Sequence, residues 1–191
     1  MSYKLSINHT DISLEYDMRS KTKINFKKDL HLRSDLNDIV SDAIINRKFQ
    51  IYYQPIYSVK EKRFTSAEAL IRLKHEKYGF ISPELFINAA ERNGTILQIG
   101  DFIFDEVCRF ISTEQFKQLK LDYIEINLSV AQCLEADLTE KIRRHLSNHD
   151  IAPTKINLEI TERESIKDHF VFDNNMKKLL FSIAFFCIAM L

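Results

Sequence analysis

The sequence predicts an α/β fold with a largely parallel sheet, and three observations carry that expectation. From residue 34 onward, helical and β hydrophobic periods alternate along the chain. One helix is punctuated at both ends, by Ser82-Pro83-Glu84 at its start and Asn93-Gly94 at its stop. The 191 residues, 45% hydrophobic and 28% charged, suffice for one sizeable core and one domain.

Residues 1–33 are polar with scattered apolar positions and a basic stretch, Lys21, Lys23, Lys27 and Lys28. They read as an arm or linker, the lysines forming a solvated face. At residues 34–44 Leu36, Ile39, Val40, Ala43 and Ile44 lie at the spacing of one helical face, with Ser34 as the expected N-cap. Residues 49–56 alternate as a first strand that ends near Pro55, and residues 64–73 form a second. The punctuated helix follows, then a helix over 99–111 with Phe102, Ile103, Val107 and Phe110 on its apolar side. Residues 123–130 set Tyr123, Glu125 and Asn127 against Ile124, Ile126 and Leu128, a third strand. A helix at 138–148, a break at Pro153, a fourth strand at 155–160, a helix at 169–180 and a last apolar strand at 183–188 complete the reading. Five strands at most are expected.

Charge excludes some classes of function. Lys+Arg and Asp+Glu balance at 27 each, so no global field draws in a nucleic-acid polymer or an anionic membrane. Cys108, Cys133 and Cys187 are odd in number, lack CxxC spacing and lie in apolar contexts, which suits buried reduced thiols and a cytoplasmic location. The N-terminus lacks a secretory pattern. The uncharged run at 179–191 is shorter than the ~20 residues a membrane span needs, so it reads as a buried strand and no span is expected. Glycine totals 3, which rules out a phosphate-cradling glycine loop, and HExxH and GxSxG are absent. His145 and His149 have zinc-compatible spacing but no third ligand, and read as a surface pair.

The chemistry depends on where side chains point. With a strand period of two, Glu68, Leu70 and Arg72 share a face, as do Glu125, Asn127 and Ser129, and Glu159 and Thr161. Glu68, Asn127 and Glu159 thus lie near the C-terminal ends of successive strands, the end at which barrel active sites are built. Their oxygens are hard ligands suited to Mg²⁺ or Mn²⁺, and Arg72 is a phosphate-binding cation beside them. Singly, each has a plainer explanation: a rim glutamate, a turn asparagine, a surface arginine.

Four segments in one order change that balance: Tyr53-Gln54-Pro55-Ile56, Glu68-Ala69-Leu70-Ile71-Arg72, Ile126-Asn127-Leu128-Ser129 and Leu158-Glu159-Ile160-Thr161-Glu162. With Lys77-Tyr78-Gly79-Phe80 and the segment 81–87, they resemble the EAL-domain cyclic-di-GMP phosphodiesterases over residues 34–188. The resemblance implies a TIM-type barrel whose first strand runs against the rest, with about five of its eight strands present. It also implies hydrolysis of cyclic-di-GMP to pGpG by two divalent ions, Mg²⁺ or Mn²⁺, which activate a water. On this basis Glu68, Asn127 and Glu159 match metal ligands, Gln54 and Arg72 match substrate contacts, and Glu162 matches the glutamate anchoring a neighbouring catalytic loop.

The chain departs from the family where an Asp-Asp-Phe-Gly motif is expected, reading Cys187-Ile188-Ala189-Met190-Leu191 instead. The expectation is therefore an arm at 1–33 and a C-terminally truncated domain at 34–191, with weak metal binding, hydrolysis near background and unclosed strand edges that invite self-association. The alternative is a non-catalytic module that binds cyclic-di-GMP or a partner protein.

Overall fold

The computed structural model describes residues 4–8, 11–15, 26–160, 168–182 and 188–190. Strands β1 (Lys4–Asn8) and β2 (Asp11–Glu15) pair as an antiparallel hairpin. Helix α1 (Phe26–Ile45) follows, with Leu32, Leu36, Ile39, Val40 and Ala43 buried along one stripe. It starts well before the expected cap at Ser34, because Leu32 continues the stripe upstream. Ser34 lies inside the helix, exposed, and its hydroxyl donates back to the His31 carbonyl at 2.8 Å.

The main sheet takes the order β3 (Phe49–Ser58), β4 (Arg63–His75), β6 (Tyr123–Leu128), β7 (Ile156–Ile160), β8 (Ile188–Met190), with the short β5 (Gly79–Ile81) paired to the C-terminal end of β4. β3 is antiparallel to β4, while β4–β6, β6–β7 and β7–β8 are parallel. Among the described residues β3 and β8 stand at the two ends of this order. The sheet therefore contains one strand more than expected. β5 escaped the sequence reading because three residues, one of them Gly79 at φ 74°, are too few to display a period of two. The last strand was expected at 183–188; residues 183–187 lie outside those described.

Helices α2 (Pro83–Asn93) and α3 (Ile96–Ile111) cross between β4 and β6, followed by the short α4 (Glu114–Leu119). Gly94 closes α2 at φ 81°, the left-handed C-terminal position that its lack of a side chain favours. α5 (Val130–Cys133), α6 (Leu138–Asn148) and α7 (His169–Ser182) complete the set. α7 is capped by Asp168, whose carboxylate accepts from the Val171 amide at 3.0 Å. No helix among the described residues is long and apolar enough to cross a membrane.

Period-two burial fixes which way the site residues face. In β6, Ile124, Ile126 and Leu128 are buried while Tyr123, Glu125 and Asn127 are half-buried. With Ile156, Leu158 and Ile160 of β7, the apolar set packs on Phe104 and Val107 of α3, Ile142 and Leu146 of α6, and Phe172, Met176 and Leu179 of α7. Each such side chain contributes ~1.5–3 kcal/mol by leaving water. A second cluster joins Leu36 and Val40 of α1, Phe49, Leu73 and Phe86. Because the helices cover the apolar face, Glu68, Glu125, Asn127 and Glu159 are left on the opposite face of the sheet.

Candidate functional site

Strand register assembles the polar face in two rows. In the first, Gln54 pairs with Glu68, Glu68 with Glu125, and Glu125 with Asn157. In the second, one period further along, Asn127 pairs with Glu159. The two rows are joined by a hydrogen bond in which the Asn127 Nδ2 donates to Glu68 Oε1 at 2.7 Å. Three of the six site residues expected from the sequence, Glu68, Asn127 and Gln54, are thus linked by direct contact or strand pairing, and Glu159 pairs with the strand position of Asn127. Glu162 lies outside the described residues.

Arg72 is one full period beyond Leu70 on the same face of β4, its strand position opposite Gln50. Its Nη1 donates to the Ile71 carbonyl at 2.9 Å, and among the described residues no carboxylate forms an ion pair with it. Burial pulls its pKa down from the ordinary guanidinium value, with Tyr52 and Glu68 acting in the other direction. The cation survives that pull, since arginine starts above 12. A half-buried guanidinium with no carboxylate partner is suited to an incoming anion.

Glu125 and Asn157 belong to this face although the sequence reading assigned them no role. Burial pushes the Glu125 carboxyl up, a hydrogen bond with Asn157 pulls it down, and Glu159 and Glu68 push it up as like charges. Asn157 is 6% exposed, and its Oδ1 has no hydrogen-bond partner among the described residues. The signal for Glu125 was its place on the face of Asn127, two residues before it. Glu125 belongs to none of the four segments.

Ser129 does not extend the strand. It caps α5: its amide and its hydroxyl both donate to Gln132 Oε1 at 3.1 Å, and its Oγ accepts from the Gln132 amide at 3.3 Å. Beyond this turn opens a cavity of about 760 Å³, lined in part by Glu68, Asn127, Ser129, Gln132, Asn88 and Ile103. Behind it, the Asn175 amide of α7 donates to the Cys133 and Glu135 carbonyls, both at 2.9 Å, securing the far end of α5.

By donor type the face suits a hard divalent cation: the carboxylates of Glu68, Glu125 and Glu159 and the amide of Asn127 come from adjacent strands, with no thiolate or imidazole among them. Among the described residues no group of three or more His, Cys, Asp or Glu side chains is placed to hold a metal ion. His145 and His149 face α3 instead, 3.7 Å from Asp101 and 3.1 Å from Asp105.

The family model of the EAL domain matches residues 37–181. The chain belongs to the EAL domain family. EAL relatives include the bifunctional diguanylate cyclase/cyclic di-GMP phosphodiesterase MucR of Pseudomonas aeruginosa, 32% identical over 78% of this chain and 21% of its own length. The signaling protein YkoW of Bacillus subtilis is 34% identical over 76% of this chain and 18% of its own length. The chain thus spans about a fifth of the length of these curated relatives. Among solved structures, the MucR phosphodiesterase in complex with c-di-GMP superposes with a TM-score of 0.73 at 29% identity, over 82% of this chain and 62% of that one. The FimX EAL domain of Pseudomonas aeruginosa bound to c-di-GMP, at 18% identity and a TM-score of 0.68 over 82% of this chain and 61% of that one, shares the fold.

Proposed function

We propose that this chain carries the cyclic-di-GMP-binding face and part of the divalent-metal site of an EAL phosphodiesterase, within about five of the eight strands of a TIM-type barrel. The observation that carries the reading is the hydrogen bond joining Asn127 to Glu68 at 2.7 Å, beside Glu159 in register and on the face that holds Arg72, which forms no ion pair among the described residues. The names of MucR and of NbdA, the cyclic di-GMP phosphodiesterase 26% identical to this chain, support the substrate class.

In this reading Glu68, Asn127 and Glu159 hold a Mg²⁺ or Mn²⁺ ion, which when bound would acidify a water and polarise the phosphodiester. Arg72 receives a phosphate oxygen of the nucleotide, and Gln54, paired in register with Glu68, contacts the ligand next to the ion. Glu162, the second glutamate of Glu159-Ile160-Thr161-Glu162, steadies a neighbouring loop.

Turnover by the 191-residue polypeptide alone is expected near background. A two-ion site holds its cations ~3.5–4 Å apart by shared ligands, and two carboxylates with one amide are too few donors for that. This favours, as a second reading of the same face, nucleotide binding without hydrolysis. Calorimetry with cyclic-di-GMP, in parallel with a pGpG assay in Mn²⁺, tests both. Binding with negligible pGpG supports the proposal, hydrolysis at the rate of an intact family enzyme overturns the expected inactivity, and no binding at all overturns the substrate assignment.

A further inference from the structure

Gly100 lies in the middle of α3, where backbone conformation makes no demand for glycine, yet a Cβ built there would fall 2.0 Å from Gln132 Nε2 and 2.8 Å from its Cδ. Any larger residue at position 100 must therefore displace the Gln132 side chain. Gln132, 6% exposed, is packed amide-end against this one bare stretch of α3 while its Oε1 accepts from both the amide and the hydroxyl of Ser129. Ser129 is two residues beyond Asn127, where β6 ends and the chain turns into α5.

We propose that Gln132 is a positioning residue for Asn127, locked by Gly100. Its carbonyl fixes the backbone of Ser129, the turn fixes the end of β6, and the end of β6 aims the Asn127 amide at Glu68. The capping box supplies the stiffness: without Oε1, the Ser129 amide loses its acceptor and its hydroxyl loses one side of its contact. α5 is only four residues long and has little cooperativity of its own, so the cap decides where it starts. The significance for ion binding rests on the function proposed above; the positioning itself does not.

The test is the side-chain NH₂ resonance of Asn127 in ¹⁵N-labelled protein, assigned by its disappearance in Asn127→Asp. Donation to a carboxylate separates the two amide protons of the native protein. Gln132→Ala is expected to collapse that separation, whereas Gln132→Glu, which keeps a carboxyl oxygen for Ser129, is expected to retain it. Gly100→Ala is expected to lower the melting temperature in the native background and to raise it in the Gln132→Ala background, where the collision is gone and the better helix former remains. If Gln132→Ala does not fold, Gln132→Met fills the same volume without an acceptor and gives the same reading.

An Asn127 signal unchanged by the loss of Gln132 would overturn the proposal, even if the variant melts earlier, because that outcome is bulk stability alone. A second readout is Mn²⁺ affinity, expected to fall ~10-fold in Gln132→Ala, the usual effect of losing an outer-shell partner. Failure of the native protein to bind Mn²⁺ or cyclic-di-GMP would refute the proposed function and leave the resonance result standing on its own.

Discussion

Asn127 on β6 donates to Glu68 on β4 at 2.7 Å across a sequence separation of 59 residues. That contact joins the middle of β4, which runs on seven residues past Glu68 to His75 and so does not end at it as the sequence suggests, to the C-terminal end of β6 as one polar unit. In Asn127→Asp the donor becomes a second carboxylate against Glu68, and two such groups cannot both ionise cheaply without a cation. The variant is expected to be ~1–2 kcal/mol less stable than the native protein in EDTA. It should also gain more melting temperature on addition of Mn²⁺. Equal shifts in both proteins would show that the ion does not lie between these two side chains.

Among the described residues no carboxylate forms an ion pair with Arg72, and the proposed function gives its guanidinium a phosphate oxygen of the nucleotide. Arg72→Ala is expected to weaken cyclic-di-GMP binding by at least tenfold, ~1.5–3 kcal/mol for a charged hydrogen bond, with little change in urea midpoint. Arg72→Lys should recover only part of the loss, since an ammonium lacks the two-pronged fit to phosphate. Calorimetry on the three proteins decides it.

Gly94 stops α2 with φ at 81°. Gly94→Ala is expected to cost ~1–2 kcal/mol through left-handed strain, and Gly94→Asn less, because asparagine tolerates that region. A urea titration by circular dichroism checks the order.

Leu158 is completely buried in β7, packed with Ile126, Ile156 and the helices beyond. Leu158→Ala is expected to cost ~2–5 kcal/mol, a large share of a small domain's stability. The fall in unfolding midpoint should exceed that of any polar-face variant named here.

Asp105 on α3 ties three elements together, accepting from Arg47 and Arg109 at 2.9 Å and meeting His149 at 3.1 Å. Partial burial pushes its carboxyl up, but the hydrogen bonds from Arg47, His149 and Arg109 prevail and bring it down to about 2. A carboxylate with a depressed folded value contributes stability above its unfolded pKa of ~3.9, and that contribution is lost as pH falls toward 2. Asp105→Asn should therefore flatten the acid limb of the stability profile between about pH 4 and pH 2, measured by urea midpoints across that range.

The sequence disclosed most of the elements because their signals are local. α6 at Leu138–Asn148 and the Gly94 stop follow directly from apolar spacing and turn chemistry. The start of α1 is not legible in the sequence because a serine inside a helix has the composition of a cap, and only its hydroxyl bonding backward to His31 distinguishes the two. β5 and α4 were too short to carry a period. At the site, Glu68, Asn127 and Glu159 could be read from strand parity, since a period of two sends each to the face opposite the core. Gln132 and Gly100 could not, because their relationship is one of space rather than spacing: a missing side chain on one helix makes room for an amide on another.

The two carbonyls held by Asn175 set a limit on how this chain can be dissected. A fragment ending ahead of that asparagine would take the Asn175 donor from the Cys133 carbonyl and leave the Glu135 carbonyl only the Leu138 amide at 3.3 Å, at the end of the helix that Ser129 caps. Boundaries chosen for expression therefore have to run through α7 if the mouth of the sheet is to keep its shape.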